Sequence, residues 1–192
     1  MMKFTRTEIP DVLVIEPVVH GDSRGYFSET FRKDLLEDFL GFKLNFVQDN
    51  ESKSSKFVFR GLHFQAPPFA QTKLVRVIKG RVLDIAVDIR RGSPTYGKHV
   101  MVELSEENKK QLFVPRGFAH GFIVLEDDTI FSYKVDNYYS KECDKGIYFA
   151  DEALGIDYGV DIKEFLLSDK DTKQPFLSEI EEFFKYEINY YE

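Results

Sequence analysis

The sequence contains very little cysteine, because Cys143 is the only one in 192 residues. An intrachain disulfide is therefore impossible, and a structural zinc site built from several cysteines is excluded. An excess of basic residues is also lacking, since 33 Asp and Glu outnumber 26 Lys and Arg and give a formal net charge of −7. A general nucleic-acid-binding protein needs a basic surface to neutralise phosphates, so we do not expect that class of partner.

Long apolar segments are absent as well. The segment from Met1 to Pro10 has no apolar core of a signal peptide, and no uninterrupted apolar run approaches the ~20 residues that a membrane helix requires. We therefore expect a cytoplasmic protein without a membrane partner. Internal repeats, low-complexity tracts and linkers rich in Pro, Gly or Ser are missing too, so we expect a single domain over residues 1–192.

Aromatic residues are abundant, with 19 Phe and 10 Tyr, and the middle of the sequence reads as short strands. Turn signals such as Lys79-Gly80 and Glu126-Asp127-Asp128 separate segments rich in Val, Ile, Leu and Phe. The predicted strands are Leu74–Ile78, Val82–Ile89, Lys98–Leu104, Gln111–Pro115, Gly121–Leu125 and Ile130–Val135. Many short strands without intervening helices indicate a mainly β fold, an antiparallel sandwich, jelly roll or barrel with a core at about residues 45–150.

Short helices are predicted on both sides of this core. In the N-terminal part, residues 28–41 read as a short helix that Ser28 can cap and Gly41 can end, with one apolar stripe formed by Phe31, Leu35, Leu36, Phe39 and Leu40. In the C-terminal part, residues 176–192 carry apolar residues near one helical face, which predicts a helical extension. Those residues are Leu177, Ile180, Phe183, Phe184 and Ile188.

His63 is the histidine with the most unusual surroundings. A lone histidine in a strand is ordinarily structural, but His63 lies in an apolar run that also holds Arg60 and Gln65. Buried polar groups need partners, so three of them in one strand indicate a site. Gly61 would let this strand bulge and bring together side chains that strict alternation separates.

A second histidine lies in the pattern Pro115-x-Gly117-x-x-His120, which resembles the second half of the cupin signature. The first half of a metal-binding cupin carries a His-x-His pair followed by a glutamate. The comparable segment here offers His63 and then Gln65, so the usual ligand set is incomplete. We therefore expect no metal site.

Several segments, taken in their order and spacing along the chain, match the pattern of one protein family. They are Asp22-Ser23-Arg24-Gly25-Tyr26-Phe27-Ser28-Glu29, Val47-Gln48-Asp49-Asn50, Arg60-Gly61-Leu62-His63-Phe64-Gln65, Gln71-Thr72-Lys73-Leu74-Val75-Arg76-Val77, Gly92-Ser93-Pro94-Thr95-Tyr96-Gly97, Phe118-Ala119-His120-Gly121-Phe122, Tyr133-Lys134, Tyr138-Tyr139 and Leu167-Ser168-Asp169-Lys170-Asp171. Together they resemble the dTDP-4-dehydrorhamnose 3,5-epimerase family from about Thr5 to Pro175. The resemblance implies a homodimeric jelly roll of the cupin type with no metal or organic cofactor. Two departures stand out, Thr72 where the family often has Ala and Tyr158 where it often has Trp.

The resemblance also implies catalytic roles. His63 would be the base that removes a proton beside a ketone, which suits an imidazole because it titrates near neutral pH. Asp171 would orient that imidazole, and Lys73 would stabilise the enolate. Tyr133 would return a proton to the opposite face of the sugar, and His120 would help to orient the substrate.

The substrate-binding residues are likewise implied by the resemblance. Arg24 and Arg60 would hold the diphosphate, because a guanidinium presents a planar fork to phosphate oxygens. Tyr139 would stack on thymine. The other implied ligand contacts are Glu29, Gln48, Asn50, Asp144 and Lys170.

The function implied is inversion of C3 and C5 of dTDP-4-keto-6-deoxyglucose to give dTDP-4-keto-L-rhamnose, in deoxysugar biosynthesis. A related enzyme could instead invert one carbon only, or act as a 3,4-ketoisomerase that moves a proton within one face without needing Tyr133. A non-catalytic sugar-nucleotide-binding module is the third alternative, and proton exchange into the substrate separates it from the enzymes.

Overall fold

The fold is built mainly from short strands. The computed structural model describes residues 2–192 of the chain. The strands are β1 (Lys3–Arg6), β2 (Leu13–Glu16), β3 (Val19–Asp22), β4 (Gly25–Ser28), β5 (Gln48–Ser54), β6 (Phe59–Gln65), β7 (Lys73–Lys79), β8 (Arg81–Asp88), β9 (His99–Ser105), β10 (Gln111–Val114), β11 (Phe118–Val124), β12 (Thr129–Val135) and β13 (Asp144–Gly146). One α-helix, α1 (Lys33–Leu40), and 3-10 turns at Glu152–Leu154, Ile162–Glu164 and Asp171–Lys173 complete the elements.

The strands form two large antiparallel sheets and a separate hairpin. The six-stranded sheet has the order β1-β2-β10-β7-β12-β5, and the five-stranded sheet has the order β13-β6-β11-β8-β9. Strands β3 and β4 pair only with each other. The predicted antiparallel jelly roll is confirmed, and each of the six predicted strands overlaps one of β7 to β12.

Alternation along the central strands places one set of side chains between the two sheets. Val75 and Val77 of β7, Phe131 of β12 and Phe122 of β11 belong to one buried cluster there. Asp84 of β8 lies on the same inner face, between Val82 and Ala86 of that cluster. The inner layer is therefore apolar over much of its extent but contains a fully buried carboxyl group.

The two outer faces are covered by different parts of the chain. Helix α1 buries Leu36 against Leu74 and Phe113 of the six-stranded sheet. On the five-stranded sheet, Leu62 and Ile85 pack against residues of the C-terminal third, which include Phe149, Phe165, Leu177 and Phe184. The C-terminal third thus covers one sheet and leaves the inner face free to carry a site.

The predicted N-terminal helix begins later than expected. Its end at Gly41 is confirmed, since Gly41 has φ 81° and donates its N–H to the carbonyl of Glu37 at 2.8 Å. The proposed cap at Ser28 is wrong, because Ser28 ends β4 and pairs with Val19. The helix starts at Lys33 after Arg32, which makes no side-chain capping bond.

The predicted helix over residues 176–192 is wrong. Its backbone groups bond to other parts of the chain: Arg91 donates to the carbonyl of Phe184, and Tyr186 donates back to the carbonyl of Arg91. Leu177 donates its N–H to the carboxylate of Asp151 at 2.8 Å. The apolar spacing that suggested a helix comes from side chains anchored one by one in the core, a case of tertiary contacts overriding local pattern. The helices of the C-terminal part are the three 3-10 turns before this tail.

Within residues 2–192, none of the helices has the length and apolar character needed to cross a membrane.

Candidate active site

A cavity of about 500 Å³ lies between the two sheets. Both sheets contribute to its lining, and the segment 166–171 adds further side chains. Its polar lining residues are Glu51, Ser52, Arg60, His63, Lys73, His120, Tyr133, Ser168 and Asp171. The structure therefore brings together all four predicted catalytic residues with two predicted substrate-binding residues.

A bulge in β6 aims two polar side chains into this cavity. His63 lies opposite His120 and Arg60 lies opposite Phe122, so Gly61 and Leu62 of β6 are opposed by Gly121 alone on β11. Arg60 and His63 consequently share the cavity face. Gly61 makes the bulge possible, because it has φ 146° and an added Cβ would lie 2.5 Å from the Cα of Gly121. The expected role of Gly61 is confirmed.

His63 and Asp171 form a hydrogen-bonded pair. The imidazole Nε2 lies 2.6 Å from Oδ1 of Asp171, and the Ser168 hydroxyl donates to Oδ2 at 2.7 Å. Burial favours a neutral carboxyl group, but the bonds from His63 and Ser168 outweigh it and lower the pKa of Asp171. An ionised Asp171 accepts the Nε2 proton, so Nδ1 is the nitrogen of the neutral imidazole that can accept a proton.

His120 is held by a buried carboxyl group from the neighbouring strand. Its Nε2 lies 2.9 and 3.0 Å from the two oxygens of Asp84, which is fully buried. Burial lowers the pKa of His120. The charge of Asp84 acts to raise this pKa, and the positive charge of Lys73 lowers it further. Burial likewise raises the pKa of Asp84. The imidazole is therefore neutral at pH 7 and is fixed in one orientation.

Lys73 is the first residue of β7, where its side chain enters the cavity. Burial lowers the pKa of Lys73 to about 8. The nearby carboxylates of Asp84 and Asp144 act to raise this pKa, and the positive charge of Lys170 lowers it further. The ammonium form still prevails at pH 7. Lys73 thus supplies a positive charge in a site largely screened from water, where such a charge is most effective.

Tyr133 reaches the cavity from the other sheet. It lies on β12 of the six-stranded sheet, whereas His63 lies on β6 of the five-stranded sheet. Burial raises the pKa of Tyr133, partly offset by the charge of Arg60, so the phenol keeps its proton at neutral pH. A proton acceptor and a proton donor therefore line the same cavity from two different sheets.

A polar cluster of predicted ligand contacts is formed by Tyr139, Asp144 and Lys170. The Tyr139 hydroxyl donates to Oδ2 of Asp144 at 3.1 Å, and Lys170 forms an ion pair with the same oxygen. Tyr139 is 56% exposed, so the face of its ring is available to another planar group. Asp144 on β13 is paired with Gln65 of β6, two residues from His63, which places this cluster beside the cavity.

Three further predicted contacts belong to β5 and β6. Gln48, Asn50 and Ser52 are spaced two residues apart and therefore share one face of β5, and Ser52 lines the cavity. The amide of Gln48 donates to Oδ1 of Asn50 at 2.8 Å. Arg60 donates to the Ser54 hydroxyl from Nε and from a terminal nitrogen, both at 3.2 Å.

Arg24 and Glu29 are not brought to this cavity. Arg24 lies on the β3–β4 hairpin, with 87% of its side chain exposed, and bonds to Asp22. Glu29 follows β4, and its carboxylate is 3.7 Å from Arg32. Within the described chain, neither residue forms a hydrogen bond or ion pair with the other predicted site residues.

Sequence reasoning missed several polar residues of the site. Asp84 interrupts the apolar strand Val82–Ile89, and a carboxyl group at an inward position of such a strand was the available signal. Ser168 bonds to Asp171, but its sequence context gives no sign of that role. Glu51 and Ser52 line the cavity from a strand of wholly polar composition, which gave no signal.

Across residues 2–192, His, Cys, Asp and Glu side chains form no group of three or more with an arrangement that could hold a metal ion. The two histidines of the cavity are instead each bonded to a separate aspartate.

Comparison with known proteins gives a consistent family. The sequence model described as dTDP-4-dehydrorhamnose 3,5-epimerase matches residues 6–179. The chain is 55% identical over 170 residues to a protein of that name from Shigella flexneri, a match that covers 88% of this chain and 93% of that protein.

Solved structures of similar proteins support the same fold. A dTDP-6-deoxy-D-glucose-3,5-epimerase from Legionella pneumophila, in complex with dTDP-4-keto-L-rhamnose, superposes with a TM-score of 0.94 at 44% identity and covers 98% of this chain and 100% of that one. A 3′-monoepimerase from Streptomyces bikiniensis, in complex with dTDP-quinovose, superposes with a TM-score of 0.85 at 32% identity and covers 90% of this chain and 87% of that one.

Proposed function

The chain belongs to the dTDP-4-dehydrorhamnose 3,5-epimerase family and is therefore an isomerase, and on that premise we propose how its own residues carry out the reaction. It inverts C3 and C5 of dTDP-4-keto-6-deoxyglucose, giving dTDP-4-keto-L-rhamnose. The ketone at C4 makes the neighbouring C–H protons acidic, because the charge left by their removal spreads onto the ketone oxygen.

Inversion at each carbon follows from one base and one acid. His63 takes the proton from the carbon, and the electron pair moves onto the C4 oxygen to form an enolate. Tyr133 then gives its phenolic proton to the opposite face of that carbon, and the ketone re-forms. No atom is gained or lost, and both side chains return to their starting states by proton exchange with water before the next turnover.

The two other polar groups stabilise the enolate. The ammonium of Lys73 faces the cavity in surroundings that exclude much of the water, so it offsets negative charge developing on the C4 oxygen. His120 is neutral and held by Asp84, which suits a fixed hydrogen-bonding group that orients the sugar. Asp171 fixes the tautomer of His63, so that Nδ1 is the nitrogen that accepts the proton.

The observation that carries the mechanism is the placement of His63 and Tyr133 on different sheets. A sugar ring between the sheets would present one face to β6 and the other to β12. A base on one side and a protonated phenol on the other is the arrangement that inversion requires. A 3,4-ketoisomerase, which moves a proton within one face, has no need of Tyr133.

Exchange of the substrate protons with deuterated water tests the reaction directly. We incubate the enzyme with dTDP-4-keto-6-deoxyglucose in deuterated water containing a metal chelator and follow C3 and C5 by NMR. Deuterium is expected at both carbons, because each inversion delivers a proton drawn from water.

Each other outcome contradicts a specific part of the proposal. Label at one carbon only would indicate a monoepimerase, and a migrated ketone would indicate a ketoisomerase. Tight binding without label would indicate a binding module. Loss of exchange in the presence of the chelator would overturn a metal-free mechanism.

The nucleotide is proposed to bind beside this cavity. Tyr139 offers an exposed ring to thymine, and Arg60 offers a guanidinium to the diphosphate. The other proposed contacts are Glu29, Gln48, Asn50, Asp144 and Lys170. Arg24 is proposed to reach a diphosphate in another subunit, because within its own chain it lies away from the cavity.

A homodimer is proposed on the exposure of the β3–β4 hairpin. Tyr26 and Phe27 are 61% and 66% exposed, and Val19 beside them is 44% exposed. Such an apolar surface is typical of an interface, and a second copy of the chain seated there would receive Arg24 at its own cavity. The dimer thus accounts for the two predicted ligand contacts that one chain leaves apart.

Sedimentation is expected to give about twice the 22.4 kDa mass of one chain. Phe27→Asp places a charge on the proposed interface and is expected to shift the mass toward 22.4 kDa and to raise KM, because Arg24 is lost from the partner's site. Ile162→Asp is the control at another exposed apolar residue and should leave the dimer intact. A monomeric wild-type protein would contradict the proposal.

A further inference from the structure

Tyr191 is a partly buried tyrosine that lies beyond the residues matched by the family. The family match stops at residue 179, whereas Tyr191 packs its ring 4.4 Å from that of Phe42. Its hydroxyl accepts the backbone N–H of Arg116 at 3.1 Å and lies 2.7 Å from the hydroxyl oxygen of Thr72. Thr72 is fully buried, so this contact lies inside the protein.

The hydroxyl of Tyr191 belongs to a closed set of bonds, which we name the tail network and define as Thr72, Arg116, Asp136 and Tyr191. The N–H of Thr72 donates to Oδ1 of Asp136 at 2.6 Å, and Nε of Arg116 donates to Oδ2 of Asp136 at 3.1 Å. Arg116 also donates to the carbonyl of Tyr190, and its guanidinium lies over the ring of Tyr191. The network therefore joins the chain end to two internal ion-paired residues.

The tail network lies immediately beside Lys73. In the six-stranded sheet Lys73 is paired with Val114 of β10 on one side and with Val135 of β12 on the other. Thr72 directly precedes Lys73, Asp136 directly follows Val135, and Arg116 is two residues beyond Val114. The network thus ties together three neighbouring strand ends at the level of Lys73.

We propose that Tyr191 is a positioning residue for Lys73, acting through Thr72 to hold the first residue of β7 in place. This inference rests on the proposed role of Lys73 in stabilising the enolate. Loss of the Tyr191 hydroxyl leaves Thr72 with an unsatisfied buried oxygen and loosens the strand end. The Lys73 ammonium then lies less accurately at the ketone oxygen, although the substrate still binds.

The test is Tyr191→Phe, which removes one oxygen and keeps the packed ring. We expect kcat to fall by about threefold to tenfold with KM nearly unchanged, because a small displacement of a catalytic group slows the chemical step. A looser strand end also admits water to Lys73, whose pKa is held at about 8 by burial. The alkaline fall in kcat should therefore move to higher pH.

The groups that face Lys73 are unchanged in this variant. They are Asp84 on β8, Asp144 on β13, Lys170 and His120, so their charges cannot produce the shift. Thr72→Ala deletes the same bond from its other end and should cause a similar loss. The double variant should add little further loss, and Thr72→Ser should restore wild-type behaviour.

Tyr158→Phe is the matched control. It deletes another buried tyrosine hydroxyl, which donates to the carbonyl of Phe149 at 2.6 Å, outside the tail network. The Tm of the Tyr158→Phe variant should fall, because a buried hydrogen bond is lost as in Tyr191→Phe, but its kcat and pH profile should stay unchanged. If Tyr191→Phe likewise lowers Tm but leaves kcat and the pH profile unchanged, Tyr191 is merely structural and the inference is overturned.

Lys73→Met separates failure of this inference from failure of the proposed function. Near-normal turnover in that variant would remove the catalytic role of Lys73, and the positioning role with it. Lost turnover in Lys73→Met, combined with an unaffected Tyr191→Phe, would overturn the positioning role alone.

Discussion

Replacing His63 with asparagine is expected to lower kcat by at least about 10²- to 10⁴-fold, the usual cost of losing a general base. Asparagine is shorter than histidine and its amide nitrogen takes the place of Nδ1, so the 2.6 Å bond from Nε2 to Asp171 is lost, while Asp171 keeps the bond that Ser168 donates at 2.7 Å. The amide nitrogen cannot accept a proton, which removes the proposed first step. Folding should be retained, because His63 is partly exposed at the cavity, where water can pair with the freed oxygen of Asp171.

The measurement is kcat together with deuterium exchange at C3 and C5, with Tm recorded as a check on folding. His99→Asn is the matched control, because His99 lies on β9 and does not line the cavity. That variant should turn over normally. If His63→Asn keeps near-normal turnover and exchange, His63 is not the base.

Replacing Tyr133 with phenylalanine is expected to lower inversion by at least about 10²-fold while proton removal continues. His63 and Lys73 remain in place, so the enolate still forms. Burial raises the pKa of Tyr133, so the wild-type phenol holds a proton to donate, and phenylalanine has none. The enolate then takes deuterium back from the side of His63 and regenerates labelled starting material.

The experiment compares two rates in deuterated water, label entering recovered substrate and appearance of inverted product. Tyr158→Phe again serves as the control for losing a tyrosine hydroxyl outside the cavity. The expected result is a widened ratio of exchange to inversion. Equal loss of both rates would show that Tyr133 is not the acid.

The apolar strands were predictable from the sequence, but the polar strand β5 was not. Segments such as Val82–Ile89 are rich in branched aliphatic residues that are buried on both sides, and this composition marks them as strands. Strand β5 has the sequence Gln-Asp-Asn-Glu-Ser-Lys-Ser and lies at the edge of its sheet. Its backbone pairing with β12 fixes its structure, and no apolar period records that pairing.

The site was predictable in part from chemistry and in part only from resemblance. The polar residues Arg60 and His63 in an apolar strand pointed to a site, and Gly61 pointed to the bulge that unites them. Asp171 bonds to His63 across 108 residues of sequence, a separation that no local pattern encodes. The local sequence around it, Asp169-Lys170-Asp171, is typical of an ordinary solvated turn.

The two-sheet placement of His63 and Tyr133 has a consequence for the evolution of new stereochemistry in this fold. Handedness of the product is set by which sheet bears each proton-transfer group, more than by the kind of group. Moving a phenol from β12 to a strand of the other sheet would keep both pieces of chemistry but return the proton to the face it left. A single exchange of positions would thus convert an epimerase into an enzyme that only exchanges the substrate proton with solvent, with the substrate-binding surface left as it was.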